Sequence, residues 1–283
     1  MATNLSYKEV LNWASSFLES HGLEGYAAER FLLERMEWTK TDLILNLPTK
    51  IPEKVKEQLE SDVIEHSKGK PVQHILGYEW FYDRPFKVTA DTLIPRPETE
   101  EIVAKFLARN GQKQDSLTVL DVGTGTGAIA ITVKKERPMD LVTAIDISAE
   151  ALSVAKENAL KLDADIRFLE GDLSAPVSHE KFDVVLSNPP YISEAERPLV
   201  DDIVFFNEPH LALFAKHDGL FIYERLAKEL PNLMKPAGQI ILEIGFQQGI
   251  AVKKLFTTAF PFAKVTVEKD MSGLDRMIYV QLP

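Results

Sequence analysis

Between residues 117 and 244, short apolar runs alternate with stretches whose apolar residues recur at helical spacing, and nothing else in the chain restricts its fold as strongly. The runs occupy 117–122, 141–145, 166–169, 182–187 and 239–244. Strands separated by helices pair parallel and take helices on both faces, so a doubly wound α/β sheet is expected. Two later runs, 263–268 and 277–282, are joined only by 269–276, too short for a crossover helix, and are expected to pair antiparallel. The expectation is a seven-stranded, Rossmann-like sheet whose last strand is inverted.

The N-terminal part has a helical period. Val10, Leu11, Ala14, Phe17 and Leu18 form one stripe, with Ser6 and Glu9 spaced as a capping box and Gly22 as a stop. Further helices are expected near 27–36, 42–46 and 52–66, the last striped by Val55, Leu59, Val63 and Ile64. Aromatic and β-branched residues between Gly77 and Pro95, broken by Asp83-Arg84-Pro85, suggest a hairpin. The expected organisation is a small helical bundle at 1–75, a β-hairpin linker at 76–96 and the α/β domain at 97–283, opened by a helix through Arg109.

Composition narrows the function classes. A formal charge of −11 and a pI near 5.1 make the summed field repulsive to phosphate backbones. A protein or small-molecule partner is favoured over nucleic acid. The chain has no cysteine, which removes disulfides and thiolate chemistry and fits a reducing compartment, the cytoplasm by default. No uncharged apolar stretch reaches 18 residues, and residues 1–12 lack the pattern of a signal peptide, so no membrane association is expected. The six histidines are scattered, with no ligand pair at helical spacing, and no metal is expected. Arg96 and Glu98 read as structural charges at a helix start. A monomer is expected.

Two motifs carry chemistry. Gly123-Thr124-Gly125-Thr126-Gly127 follows the first strand directly and precedes a helix. Glycines there allow positive φ and close backbone approach, and a helix N-terminus offers free amides to a polar ligand. Asp146 ends the next strand, where a carboxylate can accept hydrogen bonds from both ribose hydroxyls. Together they indicate an adenosine-containing cofactor. Nicotinamide enzymes use a related turn, but the Gly-x-Gly-x-Gly spacing after an acidic residue fits methyltransferases better. Asp172, after the third strand, would reach the adenine end or serve as an ordinary turn carboxylate; Asp121 organises the turn or contacts the methionine part.

Asn188-Pro189-Pro190-Tyr191 follows the fourth strand, at the sheet edge where open α/β folds bind ligands. Two prolines restrict the backbone, so the Asn188 side chain and the Pro189 carbonyl form a stiff pair of acceptors matched to a planar NH2 group. An amide nitrogen is a poor nucleophile because its lone pair is delocalised. Accepting both of its hydrogens favours the positive charge that develops as it attacks a methyl carbon. Asn188, Pro189 and Tyr191 are the expected catalytic residues, Tyr191 as an apolar wall, and Pro190 completes the pocket.

With these motifs, and with Ile94-Pro95-Arg96-Pro97-Glu98-Thr99-Glu100, Glu208-Pro209 and Leu242-Glu243-Ile244-Gly245, the chain resembles the release-factor glutamine methyltransferase family over nearly its whole length. The resemblance implies S-adenosylmethionine as methyl donor and S-adenosylhomocysteine as product. It implies that the acceptor is the side-chain amide N5 of the glutamine in the Gly-Gly-Gln motif of peptide chain release factors. Gly123, Thr124, Gly125, Thr126, Gly127, Asp146, Asp172, Leu173 and Asn188 would hold the cofactor; Asn188, Pro189, Pro190 and Tyr191 would hold the substrate. The chain departs from the family at Leu173, where some members carry an aromatic residue beside adenine, and at Asn207, commonly aromatic. A ribosomal-protein glutamine methyltransferase shares the tetrapeptide but tends to Arg-Ser-Pro where this chain has Arg96-Pro97-Glu98. An adenine-N6 methyltransferase acting on a flipped base and a non-catalytic cofactor-binding protein are the readings from other classes.

Overall fold

Ser6 opens the first helix, α1 (Tyr7–Ser20): its hydroxyl accepts from Glu9 N–H while the Glu9 carboxylate accepts from Ser6 N–H at 2.8 Å, the capping box legible in the sequence. The computed structural model describes residues 5–283, so the first four residues of the expected bundle lie outside the described residues. The chain divides into two units, one running up to Tyr78 with Asp201–Asn207 added, the other comprising Glu79–Val200 and Glu208–Pro283.

The first unit holds α1, α2 (Tyr26–Met36), α3 (Lys40–Asn46), α4 (Glu53–Ser67) and a short α5 (Val72–Leu76) that no sequence signal had marked. Its core is built by the expected stripe, Val10, Ala14 and Leu18, closed by Phe31, Leu32, Leu59 and Val63. Ile64, placed on the same stripe by spacing, is 40% exposed. Arg35 grips the buried Asp62 through two hydrogen bonds at 2.9 and 3.0 Å. Asn207, the departure noted above, donates from Nδ2 to the Gly69 carbonyl at 2.7 Å within this unit.

A hairpin follows, β1 (Tyr78–Phe81) and β2 (Arg84–Lys87). Its turn is Tyr82-Asp83, both at positive φ as a two-residue hairpin turn demands, one residue earlier than the Asp-Arg-Pro break suggests. Phe81 and Phe86 are buried against α6 (Glu100–Asn110) and the sheet.

Beyond α6 come β3 (Thr118–Val122), α7 (Ala128–Glu136), β4 (Leu141–Asp146), α8 (Ala149–Lys161), β5 (Arg167–Glu170) and β6 (Phe182–Ser187). Short elements follow, β7 (Ile192–Ser193), α9 (Asp202–Asn207), α10 (His210–Leu213) and β8 (Phe214–Ala215). The chain closes with α11 (Phe221–Glu229), β9 (Met234–Glu243), α12 (Gly249–Ala259), β10 (Lys264–Lys269) and β11 (Asp275–Gln281). The main sheet has the order β10-β11-β9-β6-β3-β4-β5, and β11 is antiparallel to both of its neighbours, as expected. Alternate residues serve opposite faces: Leu120, Val122, Val185, Ile240 and Leu242 join one apolar layer, Val119, Val184, Leu186 and Ile241 the other. β9 begins five residues before the apolar run because its first half, which includes a proline and a glycine, still extends the strand. No helix among the described residues is long and apolar enough to cross a membrane.

Candidate active site

Strand order reverses at β3, whose neighbours β4 and β6 continue the chain in opposite directions, so a crevice opens between the carboxyl ends of β3 and β6. The glycine turn leaves β3 there and Asn188 leaves β6. Ser187 ties the two strand ends together, its hydroxyl donating to the Val122 carbonyl at 2.6 Å. A cavity of about 500 Å³ occupies this edge.

The turn is built on β4. Gly123 and Thr124 both donate backbone N–H to the Ile145 carbonyl at 2.9 Å, and Gly125 N–H donates to Asp146 Oδ2 at 2.8 Å. Ser148 N–H donates to the other Asp146 oxygen at 3.0 Å. A carboxylate offers about four acceptor sites, so Asp146 keeps capacity for a ligand while it orders the turn. Burial raises its pKa, against the pull of those backbone amides. Gly123 and Gly125 sit at positive φ, and a Cβ on either would meet nothing within 4 Å. Their open faces belong to the cavity wall, as do Thr124, Thr126, Asp146, Asp172 and Leu173.

Gly127 does not line the cavity. It caps α7 at φ +81°, where a Cβ would stand 2.7 Å from Ile131 Cδ1 and 3.3 Å from Ala155 Cβ, so its glycine serves close helix packing. Asp172 is held by Arg225, whose Nη1 donates to both carboxylate oxygens at 2.8 and 2.9 Å. Leu173 adopts φ +49°, uncommon without a glycine. Beneath the turn, Asp121 is fully buried; Thr124 donates to its Oδ2 at 2.6 Å and its Oδ1 takes no hydrogen bond among the described residues. Burial pushes its pKa up to about 7.

Asn188, Pro189 and Pro190 line the other side of the same cavity. Asn188 Nδ2 donates to Thr99 Oγ1 at 2.9 Å, and Oδ1 takes no hydrogen bond among the described residues. Tyr191 departs from expectation. It is not a cavity wall: its ring packs into the apolar layer behind the tetrapeptide and its hydroxyl donates to Glu243 Oε1 at 3.3 Å. Burial raises its pKa, and the negative Glu243 adds to the shift. Gln248 Nε2 donates to the Tyr191 carbonyl at 2.9 Å, and Gly219 lies so close that a Cβ there would be 2.1 Å from that oxygen. The phenol is thus held by a carboxylate, and the backbone carbonyl of the same residue by an amide, in a space that a side chain at Gly219 would fill.

Four residues escaped the sequence reading as functional residues. Thr99 and Glu243 support Asn188; the signal was a carboxylate inside the apolar run 239–244, since a charged residue at a buried strand position requires a partner. Glu208, 5% exposed, accepts from Arg96 Nη2 at 2.6 Å and from Ile94 N–H at 2.9 Å, which braces the cavity segment ending at Arg96. Arg225 had no sequence signal. Among the described residues no group of three or more His, Asp or Glu side chains could hold a metal ion.

Residues 9–77 match the PrmC N-terminal domain family, and residues 101–213 match the Methyltransferase small domain family. The release factor glutamine methyltransferase of Enterococcus faecalis is 49% identical over 271 residues, spanning 96% of this chain and 97% of its own length. That of Bacillus subtilis is 45% identical over 275 residues, 95% of this chain and 96% of its own. Among solved structures, a methyltransferase from Pyrococcus furiosus has a TM-score of 0.51 at 16% identity, over 71% of this chain and 89% of that one, a likeness of fold.

Proposed function

The chain belongs to the release factor glutamine methyltransferase family, and on that premise we propose that it transfers the methyl group of S-adenosylmethionine to the side-chain amide N5 of the glutamine in the Gly-Gly-Gln motif of peptide chain release factors. One observation carries the assignment to this site: among the described residues Asn188, which lines the cavity, spends its NH2 group on Thr99 and leaves Oδ1 without a hydrogen bond, where an amide NH2 needs an acceptor.

The cavity suits the cofactor on its own chemistry. Gly123 and Gly125 leave open a cradle that side chains would fill, and Asp146 retains acceptor sites beside it. When bound, S-adenosylmethionine supplies an electrophilic methyl carbon on a sulfonium. Asp146 would accept hydrogen bonds from the ribose hydroxyls, the backbone of Gly123, Thr124, Gly125 and Thr126 would approach the cofactor, and Asp172 and Leu173 would flank its adenine end. Asn188 Oδ1 and the Pro189 carbonyl accept the two amide hydrogens of the glutamine, which holds the nitrogen toward the methyl and favours the charge it develops. Pro190 stiffens that pair, and Tyr191 supports it from behind.

Under the same reading, residues 1–75 recognise the substrate, 76–96 link, and 97–283 carry the transfer, in a cytoplasmic monomer. The deciding experiment offers labelled S-adenosylmethionine with unmethylated release factor, ribosomal protein or duplex DNA, and maps the label by peptide mass. Label confined to the release-factor glutamine is expected. Label on ribosomal protein alone or DNA alone would reject it.

A further inference from the structure

Glu243 lies at the end of β9, 1% exposed, with both carboxylate oxygens occupied. Thr99 Oγ1 donates to Oε2 at 2.7 Å and Tyr191 Oη donates to Oε1 at 3.3 Å. An ionised carboxylate only accepts, so the Thr99 hydrogen is committed to Glu243. Thr99 Oγ1 can then only accept from Asn188, which makes the group 2.9 Å away the NH2 and not the carbonyl. The orientation of an asparagine amide is set by such a network, since its two ends are alike in shape.

We propose that Glu243 and Thr99 are positioning residues for methyl transfer, acting as a one-way hydrogen-bond relay that keeps Asn188 Oδ1, and not Nδ2, toward the acceptor nitrogen. This rests on the reading that Asn188 Oδ1 accepts from the substrate amide. A protonated Glu243 reverses the relay: it donates to Thr99, which can then donate to Asn188 Oδ1 and turn the NH2 toward another NH2. Burial pushes the Glu243 pKa up to about 7, Thr99, Arg276 and Tyr191 oppose the shift, and Glu98 adds to it. The groups facing it from other elements are Arg276 of β11, Tyr191 after β6, Tyr223 of α11, whose hydroxyl donates to the Glu243 carbonyl, and Glu98 before α6. Ionisation of Glu243 therefore switches the acceptor on as pH rises.

The test measures single-turnover transfer to a release factor, with cofactor affinity by calorimetry, for wild type, Thr99→Val, Thr99→Ser, Glu243→Gln and Asn188→Ala. Thr99→Val removes the relay at nearly constant volume and is expected to lower the rate by about 10²-fold, the scale of a misplaced reacting group, with cofactor affinity kept. Thr99→Ser restores the hydroxyl and is expected to restore the rate. The wild-type rate is expected to rise with pH through about 7, and Glu243→Gln to be slow and flat over the same range. A wild-type rate in Thr99→Val, or a wild-type pH profile in Glu243→Gln, overturns the relay. Should either variant fail to fold, a wild-type rate independent of pH between 6 and 8 overturns it too, and a rise through about 7 that persists in Asp121→Asn upholds it. Asn188→Ala separates the two ideas: if it alone is slow, the relay fails and the acceptor stands, whereas if it is fast the acceptor reading itself fails.

Discussion

Gly125 donates its backbone N–H to Asp146 Oδ2 at 2.8 Å, so the glycine turn after β3 and the carboxylate ending β4 form one hydrogen-bonded unit. Removing the carboxylate strips a ligand acceptor and also frees a turn amide. Asp146→Ala is expected to weaken S-adenosylhomocysteine binding by at least about tenfold, since each hydrogen bond to a charged group contributes roughly 1.5–3 kcal/mol. Calorimetric titration checks this, and unchanged affinity would remove Asp146 from the cofactor site.

Asn188→Ala takes away the acceptor while leaving Thr99 its bond to Glu243. Loss of one aimed group at a developing charge costs about 10²–10³ in kcat. That fall is expected together with a melting temperature near wild type, measured by radiolabel transfer and circular dichroism. Near-normal turnover defeats the acceptor role.

The glycines of the turn separate by function. Gly127→Ala places a Cβ 2.7 Å from Ile131 Cδ1 at φ +81°, and is expected to cost about 1–3 kcal/mol of stability. Gly125→Ala, at φ +55° with open space before it, carries the backbone strain but puts its methyl into the cavity wall, and is expected to reduce cofactor affinity more than Gly127→Ala does. Denaturant unfolding and cofactor titration of both variants check the order; equal effects on both quantities would contradict it.

Stability is expected to fall as pH rises from about 4.5 to 7. Glu243, shifted from 4.5 up to about 7 by burial, stays protonated in the native state after the unfolded chain has lost that proton, so the native state binds more protons across that window. Asp121, shifted from 3.8 up to about 7 by the same cause, contributes with the same sign. The slope is about 1.4 kcal/mol per pH unit for each such group. Glu243→Gln and Asp121→Asn are each expected to flatten the dependence of melting temperature on pH, and a slope unchanged in both variants would show that neither group titrates there. The pH range that the relay requires for transfer is thus the range in which the native state is less stable.

The sequence by itself determined the secondary-structure rhythm, the inverted last strand, the cap at Ser6 and the two motifs, because each depends on local spacing: side-chain period, a connection too short to cross over, or residues adjacent in the chain. The tertiary structure alone decided what stands behind those motifs. Thr99 reaches Asn188 across 89 positions and Glu243 across 144, Arg225 reaches Asp172 across 53, and Gly219, beyond β8, lies against the carbonyl of Tyr191, just before β7. It also packed Tyr191 against an apolar layer and gave Gly127 to helix packing. A local pattern fixes which backbone can approach a ligand, but the orientation of an amide or a phenol is set by hydrogen-bond partners and packing brought together only when the sheet closes over its two apolar layers.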